Sequence, residues 1–95
     1  MAAYIIVDVD AQDATYFETY QQGVPATIAQ YGGRYLVRGG PHETLEGNWH
    51  PTRLVILEFP SVEAAKRWYE SEEYQKIRPL RRQYTRSDMV VAEGI

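Results

Sequence analysis

Apolar residues recur along the chain with two periods, and the switches between them mark its elements. Residues 3–9, AYIIVDV, are apolar at both parities. Tyr4 and Ile6 fall on one side and Ile5, Val7 and Val9 on the other, the pattern of a strand covered on both faces. Asp10 then offers an N-cap oxygen, and Asp13 a first-turn carboxylate, to a helix reaching Tyr31. Phe17, Tyr20, Val24, Ile28 and Tyr31 form its apolar stripe. Pro25 cannot donate to the carbonyl of Gln21, so a kink or break is expected near Gly23. Gly32-Gly33 ends the helix, because glycine accepts the left-handed conformation found there.

Residues 34–38, RYLVR, read as the second strand, stopped by Gly39-Gly40-Pro41. The third is Arg53 to Phe59, ended by Pro60-Ser61. Ser61 caps a second helix with Glu63 in its first turn and Val62, Ala65, Trp68 and Tyr69 as its buried stripe. Ser71-Glu72-Glu73 reads as a fresh start, continued by Tyr74, Ile77, Leu80 and Tyr84, with Pro79 bending or ending it. Asp88 to Ala92 reads as the fourth strand.

The order β-α-β-β-α-β predicts an α+β, ferredoxin-like subunit: one domain over residues 1–95, an antiparallel four-stranded sheet with two helices on one face. The strands are nevertheless apolar at both parities. Leu54 and Ile56 oppose Val55, Leu57 and Phe59; Tyr35 and Val37 oppose Leu36; Val90 and Ala92 oppose Met89 and Val91. A sheet face left in water should alternate with polar residues. The pattern therefore predicts a homodimer joined through its sheet faces, a dimeric α/β barrel. The alternative is that these faces line a ligand groove in a monomer.

Composition narrows the partners. A chain of 95 residues buries about two-thirds of its unfolded surface, so a second copy would add to a modest core. A net charge of −3, with acids and bases interspersed, argues against nucleic acid. With no cysteine there is no disulfide framework, thiol nucleophile or cysteine-based metal site. No apolar run is long enough to span a bilayer, and MAAYIIVDVD reads as a strand and not a signal peptide. The expectation is a soluble cytoplasmic protein without a membrane partner.

The candidate chemistry lies in the connection from His42 to Thr52, which is longer than a tight hairpin needs. It carries both histidines, Glu43, Glu46 and Trp49, and is flanked by Arg38 and Arg53. On the functional reading His42 is a general base near neutral pH and Arg38 or Arg53 holds a carboxylate or enolate oxygen. Trp49 and Trp68 would wall a flat apolar ligand, with Glu46 beside them. On the structural reading the loop folds over the sheet edge with Trp49 as a hydrophobic lid. His42 with Glu46 or His50 matches no metal-loop spacing, and no cofactor-binding motif is recognised. A second cluster follows if the first and third strands are parallel neighbours. Asp8 and Glu58 then share one end with Arg34 and Arg86, either as a salt-bridged strand end or as a carboxylate pair with one raised pKa. The arginines at 78, 81, 82 and 86 are expected to complement the negative end of their helix, the alternative being that they attract an anionic partner.

Four motifs taken together, YGG-x-YLVRGG, EG-x-W-x-P-x-R, EFPS and A-x-x-WY-x-S-x-EY, resemble a small family defined only as a domain of unknown function, number 1330. The resemblance spans nearly the whole chain and implies a dimeric α/β barrel similar in fold to antibiotic-biosynthesis monooxygenases and muconolactone isomerases. It implies no reaction by itself. Among relatives on this scaffold, cofactor-free proton transfer or oxygenation of a small apolar or aromatic acid is one expectation. A non-enzymatic homodimer that binds a metabolite or protein is the other.

Overall fold

The computed structural model describes residues 1–11, 14–79 and 85–95, with only the backbone of residues 11, 14–21 and 85. Strand β1 (Ala3–Ala11) leads into helix α1 (Ala14–Gln30), then strands β2 (Arg34–Arg38) and β3 (Leu54–Phe59). Helices α2 (Val62–Glu70) and α3 (Glu72–Gln75) precede strand β4 (Thr85–Glu93). The strands form one sheet in the order β2-β3-β1-β4, antiparallel at every pairing. This is the ferredoxin-like α+β fold. Among the described residues no helix is long and apolar enough to cross a membrane.

The sheet corrects the expectation that β1 and β3 run parallel. Tyr4 pairs with Glu58 and Asp8 with Leu54, so β3 runs against β1. The reason is topological. The crossover through α1 makes β1 and β2 parallel, and β3, the hairpin mate of β2, fills the gap between them. Asp8 and Glu58 therefore lie at opposite ends of the sheet, and no carboxylate pair forms. Arg34 does meet Glu58, at 2.8 Å, whereas Arg86 stands across from Asp10 at the other end.

Strand β1 also runs further than its apolar stretch, so Asp10 is a strand residue and not the cap of α1. Asp13, Leu80, Arg81, Arg82 and Tyr84 lie outside the described residues, as do the side chains of Phe17 and Tyr20. Helix α1 passes through Gly23 and Pro25 without a break. The glycine serves packing here: a Cβ on Gly23 would come within 2.8 Å of the Ile77 side chain. At the end of α1, Gly32 has φ +79°, and the Gly33 amide donates to the Ile28 carbonyl. Ser61 and Ser71 cap α2 and α3, each accepting a backbone N–H three residues on.

The helices cover the face that carries Ile5, Leu57 and Phe59. Trp68 is 1% exposed, between Phe59 and Tyr74, with ring centroids at 5.5 and 4.2 Å. Its indole N–H donates to Thr27 Oγ1, and that hydroxyl donates to the Val24 carbonyl, so the one polar atom of the ring is satisfied inside the core. The opposite sheet face carries Tyr4, Ile6, Ile56 and Val90, with Asp8, Glu58, Arg34 and Asp88 around them, and among the described residues no helix lies over it. One extra residue, Leu36, bulges from β2, so Tyr35 faces the helices while Val37 faces away. Strict alternation had placed those two residues on one face.

Candidate functional site

Two features come out of this fold, and they lie apart. The first is the β2–β3 loop at one end of the sheet. Antiparallel pairing brings Asp8 of β1 to this end, and its carboxylate anchors the loop. The Thr52 amide donates to Asp8 Oδ1 at 2.9 Å and the Trp49 indole N–H donates to Oδ2 at 3.2 Å. Because Asp8 alternates with the buried Val7 and Val9, Trp49 is held on the free side of the sheet. Thr44 Oγ1 donates to the Trp49 carbonyl at 2.6 Å, closing the loop on itself.

His42 ties the neck of the same loop. Its Nε2 lies 2.7 Å from the Pro51 carbonyl and its Nδ1 3.1 Å from the Gly40 carbonyl. Carbonyl oxygens only accept, so both contacts are made together by the imidazolium alone. The Pro51 carbonyl, then that of Gly40, together with the charge of Asp8, hold the His42 pKa above the ordinary histidine value. In this geometry neither nitrogen is a free base.

Arg38 and Arg53 lie at the same end but on the helix side of the sheet. The bulge at Leu36 lets Tyr35 and Arg38 share that side, and the Arg38 guanidinium lies 4.4 Å from the Tyr35 ring centroid. Arg53 donates weakly to the Arg38 carbonyl at 3.5 Å and packs on Gly39. Gly39 has φ +72°, and a Cβ there would overlap the guanidinium, so only glycine fits. The sheet thus separates the arginines from Trp49. Trp68 is removed further, sealed in the core, and does not meet Trp49 to wall a ligand. Glu46 and His50 are exposed on the loop. Among the described residues no three acids or histidines converge on a possible metal position.

The second feature is a cleft of about 420 Å³ between α2 and the β1–β4 half of the sheet. Ile5, Met89 and Val91 line its sheet side; Ala65 and Tyr69 line its helix side, with Lys66 and Glu70 at the rim. Residues of the His42 loop do not line it. The sequence led to the expectation of a space between sheet and helices with its mouth near the His42 loop; this cleft lies between sheet and helix but away from that loop. The available signal was Lys66 and Glu70, one helical turn apart beside the buried Ala65 and Tyr69 stripe.

Residues 2–95 match the family described as "Domain of unknown function (DUF1330)". The chain belongs to that family. No curated protein matches the sequence. Solved structures similar to this DUF1330 chain include a protein of unknown function from Rhodopseudomonas palustris, with TM-score 0.77, 18% identity and coverage of 99% of this chain and 82% of that one. SnoaB, a cofactor-independent oxygenase from Streptomyces nogalater, is similar at TM-score 0.66 and 11% identity, covering 99% and 93%. A dimeric ferredoxin-like protein of unknown function from Jannaschia sp. CCS1 gives TM-score 0.66 and 13% identity, covering 99% and 100%. At these identities the likeness is one of fold.

Proposed function

We propose that this DUF1330 chain is a homodimeric binding protein for a small apolar or aromatic molecule with an acidic group, held between α2 and the sheet. The observation that carries the reading is the cleft: an apolar floor and a tyrosine wall accept a flat hydrophobic body, and Lys66 at the rim accepts an anion. Its volume falls within the range of small-molecule pockets, about 300–1,000 Å³. The free apolar sheet face supports the homodimer, and the Jannaschia protein of the same fold is described as dimeric.

Cofactor-free proton transfer or oxygenation is the second reading, favoured by the likeness to SnoaB. On that reading His42 and Arg38 act as base and oxyanion partner. The geometry favours binding over that pair, because both nitrogens of His42 are engaged by backbone carbonyls and neither residue lines the cleft.

Native mass spectrometry of gently purified protein tests the proposal. The expected result is two chains plus a constant small-molecule excess, lost when Val91→Trp fills the cleft. No excess mass, or one that Val91→Trp leaves intact, overturns the cleft as the site. Turnover of the retained molecule that His42→Ala abolishes would put the catalytic reading first.

A further inference from the structure

We infer that the β2–β3 loop is a second, built part of the contact between two copies of this chain, with Trp49 as its anchor. The inference rests on the homodimer reading and adds to it. Three observations support it.

The first is area. Four strands about 4.8 Å apart, two of nine residues and two of five and six, present at about 3.3 Å per residue a face of roughly 450 Å² in plan. A standard stable interface takes about 800 Å² from each partner. The face in plan is about half that figure, so an apolar feature beside it on the same side would add to the contact.

The second is position. Trp49 is held on that side by its bond to Asp8, whose free-face neighbours are Ile6 and Asp10 along β1 and Leu54 and Asp88 across it. Trp49 remains 57% exposed while so held, and Leu45 on the same loop is 89% exposed. Ile6 and Leu54 thus lead from the apolar middle of the sheet toward the loop, beside the carboxylates of Asp8, Asp10 and Asp88.

The third is order. A flexible loop would lose conformational entropy on docking, which weakens binding. This loop is already fixed by Asp8 at two points, by His42 across its neck and by Thr44 across its tip. A large aromatic side chain pre-positioned beside an apolar face matches the anchors that dominate protein interfaces. The occupant is a second copy because the face to be covered is apolar throughout its middle, and an isologous contact sets that surface against its own match.

Sedimentation velocity over a dilution series is the test, with wild type, Trp49→Ala and Leu45→Glu each checked for native circular dichroism. Both residues are exposed, so the variants keep the fold. The expected result is a dimer dissociation constant raised about tenfold or more by Trp49→Ala, and raised also by Leu45→Glu. The tryptophan emission of wild type should shift to the blue as concentration passes through that constant, and the shift should vanish in Trp49→Phe. A wild-type dimer whose constant neither variant moves beyond twofold would overturn the inference and leave the sheet-face dimer standing. A wild type that stays monomeric at every concentration would overturn the homodimer reading itself.

Discussion

The two faces of the sheet are built from the same strands and both are apolar in the middle, the free one ringed by Arg34, Glu58, Asp8 and Asp88, yet they meet different fates. Ile5, Leu57 and Phe59 are sealed under Trp68 and Tyr74, while Ile6 and Ile56, one position along, stay half-exposed. Apolarity alone does not separate them. The sealed face is covered by helices that the chain supplies a few residues away, α2 and α3 each started by a serine cap and α1 ended at Gly32. The free face has no such local cover. Burial is thus a demand written in composition, and topology decides whether the same chain or another one meets it.

Adjacent substitutions break this comparison most directly. Leu57→Lys places an unpaired charge in the core and should cost about 4 kcal/mol or more, enough to unfold the domain in a denaturant titration. Ile56→Lys, one residue away, should leave a folded monomer with nearly wild-type denaturation at low concentration. If both unfold alike, the free face is core in its own right.

A smaller loss sharpens the sealed side. A Cβ on Gly33 would lie 2.6 Å from the Phe59 ring and 2.8 Å from Ile28, so Gly33→Ala should destabilise by about 1–3 kcal/mol in the same titration. A neutral effect would mean that the aromatic core yields where it is tightest.

The smallest effect belongs to the loop and is a matter of sign. The folded state raises the His42 pKa above its unfolded value of about 6.5. The stability this contributes is complete below that value and fades as pH rises through the folded pKa. The difference in melting temperature between wild type and His42→Gln should therefore shrink from pH 6 to pH 9. A difference constant across that range would mean that the imidazolium does not tie the loop.

Much of the fold was legible because it is locally encoded. Ser61, Ser71 and Gly32 mark their helix ends by chemistry confined to a few residues, and β2 follows from its own composition and stops. Strand direction was less secure, since the relation of β1 to β3 depends on where the α1 crossover lands. That error set Asp8 beside Glu58, whereas antiparallel pairing sets it under Trp49 and Thr52. Gly23 and Pro25 misled for a related reason: α1 runs through both, and Gly23 packs closely on Ile77, a tertiary contact that no local rule contains. His42, Arg38, Arg53 and Trp49 were correctly drawn to one end of the sheet. The division of that end into two sides comes from the bulge at Leu36, which alternation cannot foresee.

The sheet order leaves β4 with a neighbour on one side only. Its nine residues carry Met89-Val90-Val91-Ala92 in the middle, a run suited to recruiting a stray strand from another molecule. Arg86, Asp88 and Glu93 bracket that run, and their charges act as gatekeepers against edge-to-edge aggregation. Neutralising them would remove that guard and favour edge-to-edge pairing between molecules.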